Sequence, residues 1–491
     1  LLVKRFLKDS ALYGSATLFS KGVGLLVVPL YTRVLPREEY GVIDMLVVAG
    51  ALVNLTVALE ISQGLARYYP EARSPEDRVR YASTALWFTA ATYGLFALVA
   101  IALSRPLAAL VLDGERWHSV WEVAVAAMVA NGLFYLFQNQ LRWQLAARWY
   151  ALASAVQVAV TAGTAVWLVV VERLGVVGIF WGQIAGFLAG SAVAWPALAR
   201  NYRLSFSWSA AGEMLGFSLP LVPSSIAVFA TLYTDRVAVR HFLGLGDLGL
   251  YAVAFRFASV VGLLMVGFQM ALTPLVCQHY REPETPRDLA RIFRYFLLPA
   301  FAVVTGLCLY SREVLSLLTG PDYRAAWSIL PLLAAASLLA NMYIFVPGLW
   351  IAKRTKAIAA INAGAALLNL ALNFLLVPRW GTTGAAVAAL LTGLCSFSGY
   401  LTGSQISYPV PHRRGRLLGG AVVGGVAAAV GLFWSSRGSA VLTLTGLLTK
   451  LGFLVLTTAV LATLLLERRE REGLARAVMA ARGPAGGWRA S

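Results

Sequence analysis

Residues 146–182 read AARWYALASAVQVAVTAGTAVWLVVVERLGVVGIFWG, and residues 352–388 read AKRTKAIAAINAGAALLNLALNFLLVPRWGTTGAAVA. Laid over each other without gaps, they place Ala146 on Ala352, Arg148 on Arg354, Arg173 on Arg379, Gly175 on Gly381 and Gly178 on Gly384, each pair 206 positions apart. A weaker echo joins LPREEYGVID (35–44) to LGLGDLGLYAVAFR (243–256). Each long copy holds an apolar run, a short Arg-containing turn and the start of another apolar run. At 1.5 Å per residue such a run crosses a hydrocarbon core of about 30 Å. Runs of this kind recur along the chain, near 11–35, 41–63, 82–104, 118–141, 150–171, 176–198, 212–235, 247–274, 295–312, 326–349, 358–377, 382–404, 417–434 and 440–466. Six spans separate equivalent positions. An even number gives the two halves the same orientation, related by an axis along the membrane normal. The sequence therefore predicts an all-α polytopic membrane protein of about 14 transmembrane helices, organised as two parallel six-helix repeats plus two C-terminal helices. The segments are 1–206, 207–410, 411–466 and a charged tail, 467–491.

Composition agrees. Of 491 residues, 59% are hydrophobic and only 13% charged, with a mean hydropathy of +0.71, far from a soluble domain. The alternating decamers of a membrane β-barrel do not occur. The first apolar run is too long for a signal-peptide core and reads as a retained helix. Cys277, Cys308 and Cys395 lie far apart and suggest neither a disulfide framework nor a metal site.

A net charge of +18 would raise the question of nucleic acid in a soluble protein. Here basic residues collect in alternate loops: 27 Lys/Arg lie in one set of segments, which includes both ends of the chain, and 11 in the other. The positive-inside rule puts the richer set, and both termini, in the cytosol. The loops are too short for a soluble catalytic domain. A duplicated bundle of this kind suits alternating access, two similar lobes rocking about a site between them.

At LYTRVLPREEYGVIDMLV, GLARYYPE, SLPLVPSS, DRVAVRHFLGLGDLGLYAVAFR and LVPRWGTTGAAVA, the chain resembles the polysaccharide-biosynthesis flippases of the multidrug/oligosaccharidyl-lipid/polysaccharide exporter superfamily, the O-antigen and capsule repeat-unit type. The resemblance covers spans 1 to 12. It implies a V-shaped pair of lobes with spans 1, 2, 7 and 8 lining a central cavity, in the cytoplasmic membrane of a bacterium or archaeon. It also implies transfer of a polyprenyl-pyrophosphate-linked oligosaccharide from the cytosolic to the outer leaflet. Membrane lipids and polysaccharide-assembly machinery are the expected partners, and a monomer would suffice. No cofactor is called for, and the coupling ion, H+ or Na+, stays open.

Lys21 lies inside an apolar run, ATLFSKGVGLLVVPLY (16–31). Ser10, Gly14, Thr17, Lys21 and Gly24 share one helix face. Small residues allow close helix approach, and an ionisable group at this depth faces an interior or an aqueous cavity. A fixed cation in such a cavity attracts an anionic headgroup strongly, so Lys21 is the first candidate for substrate contact. Its rival role is an ion pair with Asp44 or Glu60. Arg256, deep in span 8, is the second candidate; Asp44 sits at a similar height in the opposite half and could form a gate with it. Asp235, Arg236 and Arg240 at the end of span 7, with Arg33 and Arg37 opposite, read as capping and pairing groups. Arg67, Arg142 and Arg148 could gather anionic headgroups, or simply obey topology. Asn131, Tyr135, Gln138 and Arg142, and separately Asn362, Asn369 and Asn373, form polar stripes whose amides could hydrogen-bond sugar hydroxyls but which are better suited to helix packing. Pro29, Pro220, Pro223 and Pro274 should kink their helices.

An enzyme is disfavoured, since the four histidines are isolated and no carboxylate pair or nucleophile motif stands out. The rival readings are an organic-cation exporter of the same superfamily, whose site would want carboxylates or aromatics, and a flippase for the peptidoglycan lipid precursor.

Overall fold

The computed structural model describes residues 2–471 other than 263–264, 266–267, 270–271, 273–275, 277–278, 438–442 and 469, and their side chains except those of 2–11, 13 and 414. Pro274, Cys277, the Ser10 side chain and the tail beyond 471 lie outside the described residues. The described chain is helical throughout, with no strand. In lipid this is expected, because a helix satisfies its backbone polar groups internally.

Among the described residues, thirteen segments are long and apolar enough to cross a membrane. The longest, Thr355–Ser407, has 53 residues, about 80 Å of helix and far more than one crossing needs. It is two helices meeting at Gly381, whose backbone (φ 60°, ψ −143°) leaves the helical region in a direction open to glycine. Fourteen helices result: α1 (Leu2–Leu26, then Val28–Val34), α2 (Arg37–Thr56, then Ile61–Glu71), α3 (Pro75–Ala102), α4 (His118–Trp143), α5 (Ala147–Val166), α6 (Gly175–Leu198), α7 (Trp208–Ser218, then Val222–Leu243), α8 (Leu245–Ala258), α9 (Thr285–Leu318), α10 (Leu330–Asn341), α11 (355–380), α12 (382–407), α13 (Arg414–Arg437) and α14 (Leu444–Leu465).

Prolines break α1 before Pro29 and α7 across Leu219–Leu221, beside Pro220 and Pro223. The break in α2 has another origin: Leu59 and Glu60 are left-handed, and neither is glycine. The expected continuous span 41–63 is therefore two helices, its second part turned off at the lysine- and arginine-rich end of the bundle.

Backbone geometry recurs between the halves at spacings near 207. Gly175 (φ 58°) and Gly381 (φ 60°) end equivalent turns, 206 apart. At the start of α5 and α11, however, the matching residues are Ala146 (φ −88°, ψ 56°) and Arg354 (φ −80°, ψ 59°), so Ala146 corresponds to Arg354 and not to Ala352. The first copy carries its two additional residues around a π-turn at Trp167–Val171, which α11 lacks.

Candidate functional site

The two ends of the bundle differ. The end carrying the turn between α1 and α2, where basic residues are few, is sealed by backbone contact. Gly41 of α2 packs against the Leu245 carbonyl and the Gly249 amide of α8; Gly249 packs against the Arg37 carbonyl and the Gly41 amide. A Cβ on either would lie 1.9 Å from a carbonyl oxygen. Only glycine fits so close a crossing.

Beneath the crossing lies a buried ion cluster. Arg236 of α7 donates from Nε to Asp44 Oδ2 of α2 at 3.1 Å and from Nη1 to Asp235 Oδ1 at 3.3 Å. Tyr251 of α8 donates its hydroxyl to the other Asp235 oxygen. The guanidinium stacks 4.2 Å from the Phe255 ring centroid. Asp44 is 5% exposed, Asp235 7%, Arg236 6% and Tyr251 0%. Two carboxylates and one guanidinium, with further hydrogen bonds to Asp235 from the Arg236 amide and Tyr251 and from Arg236 to the Leu232 carbonyl, make such burial tolerable; removal of one member would strand a charge. Asp44 thus pairs with Arg236 and not with Arg256 or Lys21. The sequence placed Asp44 and Arg256 at similar height, but height does not fix which face each presents. Arg256 is half-buried and lies beside the Tyr31 and Tyr40 hydroxyls.

Two arginines complete the seal by reaching across it. Arg33, ending α1, donates to the Leu317 carbonyl of α9 at 2.9 Å; Arg240, ending α7, donates to the Leu110 carbonyl in the short helix Ser104–Leu112. Donors and acceptors are both 207 apart. Arg240 also pairs with Asp113 at 2.6 Å, and Tyr323 donates to the Leu35 carbonyl at 2.9 Å.

Toward the other end, the middles of α1 and α7 are open. Thr17, Leu18, Phe19, Lys21 and Leu26 are exposed on α1, as are Ile226, Val228 and Leu232 on α7. No carboxylate among the described residues pairs with Lys21. A Cβ on Gly24 would meet nothing within 4 Å, so the small residue on the lysine face opens space rather than admitting a packed helix, contrary to expectation. Glu60, at the break in α2, is buried and accepts from Ser225 Oγ of α7 at 2.7 Å, which also removes it as a partner for Lys21. It borders a polar cavity of about 20 Å³ with Asn54, Thr89, Tyr93 and Tyr135, room for about one water.

The basic loops are less suggestive than their composition. Arg67 pairs with Glu71 at 2.6 Å, and Arg142 donates to Tyr150 at 2.7 Å while covering its ring; Arg148 is exposed. The polar stripes join helices, as expected: Gln138 donates to Ser154, Asn369 to Thr392, Asn373 to Asn369 and Tyr400 to Asn362.

The polysaccharide biosynthesis protein family model matches residues 30–328, which contain the crossing, the ion cluster and both latch arginines. The chain belongs to this family. It is accordingly a multi-pass membrane transporter of the flippase type and not an enzyme. Relatives in the family's line of work include the succinoglycan biosynthesis transport protein ExoT of Rhizobium meliloti, 26% identical over 76% of this chain and 72% of that protein. The probable low-salt glycan biosynthesis flippase Agl15 of Haloferax volcanii is 25% identical over 38% of this chain and 40% of that protein. In fold, this family member is similar to the lipid II flippase MurJ in an inward closed conformation (TM-score 0.69, 15% identity, 92% of this chain and 99% of that one). It also resembles an inward-facing multidrug resistance MATE family transporter (TM-score 0.62, 16% identity, 80% and 94%).

The sequence reading missed one intramembrane ion pair. Lys450 of α14 is buried, donates to the Leu309 carbonyl of α9 at 2.7 Å and pairs with Glu313. A lysine in the second turn of a window otherwise free of charge was the available signal, and Glu313 was the one acid in α9 beyond its first turn.

Proposed function

We propose that the protein moves a polyprenyl-pyrophosphate-linked oligosaccharide from the cytosolic to the outer leaflet by alternating access, for assembly of a cell-surface polysaccharide. The basic end is then cytosolic, and the membrane is the cytoplasmic membrane of a bacterium or archaeon. The lobes are residues 1–206 and 207–410, with α13 and α14 (411–466) appended. The sealed end is the outer gate: Asp44, Asp235, Arg236, Arg240 and Arg33 hold it shut, and Glu60 with Ser225 marks the inner part of the path. Lys21 takes the pyrophosphate, Arg256 receives it when the tyrosines around it part, and Arg142, Arg148 and Arg67 raise headgroup concentration at the cytosolic mouth.

The observation that carries this reading is the exposed ammonium of Lys21, paired with no acid among the described residues, in the apolar run of α1. A lysine facing hydrocarbon there would cost several kcal/mol; one facing a hydrated cavity is a standing anion site. An organic-cation exporter would need a free acid in that space. Asp44, Asp235 and Glu60 are instead each engaged by a donor.

Thermal stabilisation of the detergent-solubilised protein tests the reading, with a short-chain polyprenyl-pyrophosphate glycolipid and a lipophilic organic cation as ligands. Stabilisation by the glycolipid that weakens in Lys21→Ala is expected. Stabilisation by the cation alone would transfer the protein to the drug-exporter branch. A glycolipid response untouched by Lys21→Ala would place the headgroup elsewhere.

A further inference from the structure

A cavity far larger than the one beside Glu60 has no part in the path just described. About 1180 Å³ lies between α9, α10, α12 and α13, lined among others by Phe301, Val304, Leu338, Phe397, Leu401 and Ala421. None of its lining comes from α1, α2, α7 or α8. It runs along α9 from Phe293 to Val304, about 16 Å of helix, or roughly half a hydrocarbon core. Ile406 and Leu418 are lining residues and strongly exposed, so the space opens sideways. Its depth is that of one leaflet, the one at the basic end.

The mouth of this groove is cationic. His412 and Pro411 close the lining at the basic end, and Arg416 lies in the first turn of α13, one residue before the lining residue Leu417. Arg294 is 7% exposed and meets Glu470 at 2.7 Å; Arg291 also meets Glu470, and Arg413 meets Glu467 at 3.0 Å. Three arginines thus share two glutamates, and Arg416 lies beside them with no acid paired to it among the described residues. Arg294 Nε, Arg416 Nη1 and His412 Nε2 are buried and have no hydrogen-bond partner. Buried donors of charged groups rarely stay unsatisfied, and a phosphate offers the acceptors that these lack.

We propose that this groove holds a resident anionic bilayer lipid of the basic-end leaflet, its acyl chains between α9, α10, α12 and α13 and its phosphate against Arg294, His412 and Arg416. The one-leaflet length and the separation from α1, α2, α7 and α8 assign the site to a membrane phospholipid rather than to the cargo. Such a lipid would fill the space between the C-terminal helix pair and the body of the protein.

Delipidated full-length protein in detergent, titrated separately with dioleoyl-phosphatidylglycerol and dioleoyl-phosphatidylcholine and read by native mass spectrometry, tests this. One phosphatidylglycerol should be retained in preference to phosphatidylcholine. Gly425, a lining residue whose Cβ would meet nothing within 4 Å, offers a plug: Gly425→Phe should abolish retention of both lipids. Arg416→Gln should weaken phosphatidylglycerol about fivefold and leave phosphatidylcholine alone; being a single change at a half-buried residue with no ion pair among the described residues, it carries the test if Gly425→Phe does not fold. Equal retention of the two lipids by the wild type would overturn the proposal, as would insensitivity to Arg416→Gln. Displacement of phosphatidylglycerol by an equal concentration of short-chain polyprenyl phosphate would overturn the assignment to a resident lipid and make the groove a cargo site.

Discussion

Two lysines sit within apolar helices of this protein, and their surroundings are opposite. Lys450 is 7% exposed, bonded to the Leu309 carbonyl and paired with Glu313; it ties α14 to α9, with help from Tyr310, which donates to the Leu447 carbonyl, while Ser435 of α13 ties that helix to α9 through the Cys308 and Leu309 carbonyls. Lys21 is exposed and pairs with no acid. Both lie inside windows long and apolar enough to cross a membrane, so that placement alone does not distinguish a structural charge from a binding one. The supply of local acceptors does: a charge whose needs are met inside the fold contributes to the fold, and one left open is available to a ligand.

The largest effect expected from breaking this contrast is on stability. Lys450→Met leaves Glu313 without its cation and should cost about 3 kcal/mol in the unfolding free energy, whereas Lys21→Met should change it by less than about 0.5 kcal/mol while impairing transport. The double variant Lys450→Met/Glu313→Leu should recover most of the loss; failure to recover would mean that the pair does more than satisfy itself. The gate comes next. Asp44→Asn removes one of the two acids that hold Arg236 and should shift the balance of closed and open states by about 2 kcal/mol, roughly thirtyfold. The distance between spin labels on the exposed Leu110 and Leu317 side chains reports it, and an unchanged distribution would end the gate hypothesis.

Smaller effects separate the two latches. Arg33→Gln should shift the same distance distribution by about 1 kcal/mol. Arg240→Gln should shift it further, because Asp113 loses its partner as well. Smallest is the response to acid at the basic end. Burial opposes ionisation of Glu470, yet the Glu467 amide, Arg294 and Arg291 outweigh it and hold the carboxyl below its usual value of 4.5. Burial, then Arg294, push the His412 imidazole below its usual 6.5. Both folded values lie below the unfolded ones. Stability from Glu470 is therefore complete above pH 4.5 and is lost as pH falls toward its folded value; His412 begins to favour the unfolded state below pH 6.5. Hydrogen exchange at 467–471, corrected for intrinsic rate, should accelerate on acidification, and an exchange rate flat from pH 7 to 4 would contradict this.

Much of the fold was legible because a bilayer imposes length and polarity on every crossing. The apolar runs yielded helices, and the glycine at 381 was already marked by its match to Gly175. What escaped the sequence was rotation. Asp44 was matched by height to Arg256, but α2 presents it to Arg236, because Gly41 brings α2 onto α8 at one rotation only. The break at Leu59 and Glu60 was invisible for another reason: no proline or glycine marks it, and its left-handed residues are stabilised by contacts with α7, including the bond from Ser218 to the Leu59 carbonyl. The two-residue slip between Ala146 and Arg354 was hidden by a π-turn, which changes the count of residues without changing their character. Lys21 was legible because an unpaired charge needs no partner to be found.

The arginine latches have a property that bears on how this protein can change over generations. Arg33 and Arg240 both grip main-chain oxygens, of Leu317 and Leu110. No substitution deletes a carbonyl, so each grip can be lost by change at its donor and hardly at all by change at its acceptor. Leu110 and Leu317, both strongly exposed, remain free to drift, while the two latches they complete stay under the control of two codons.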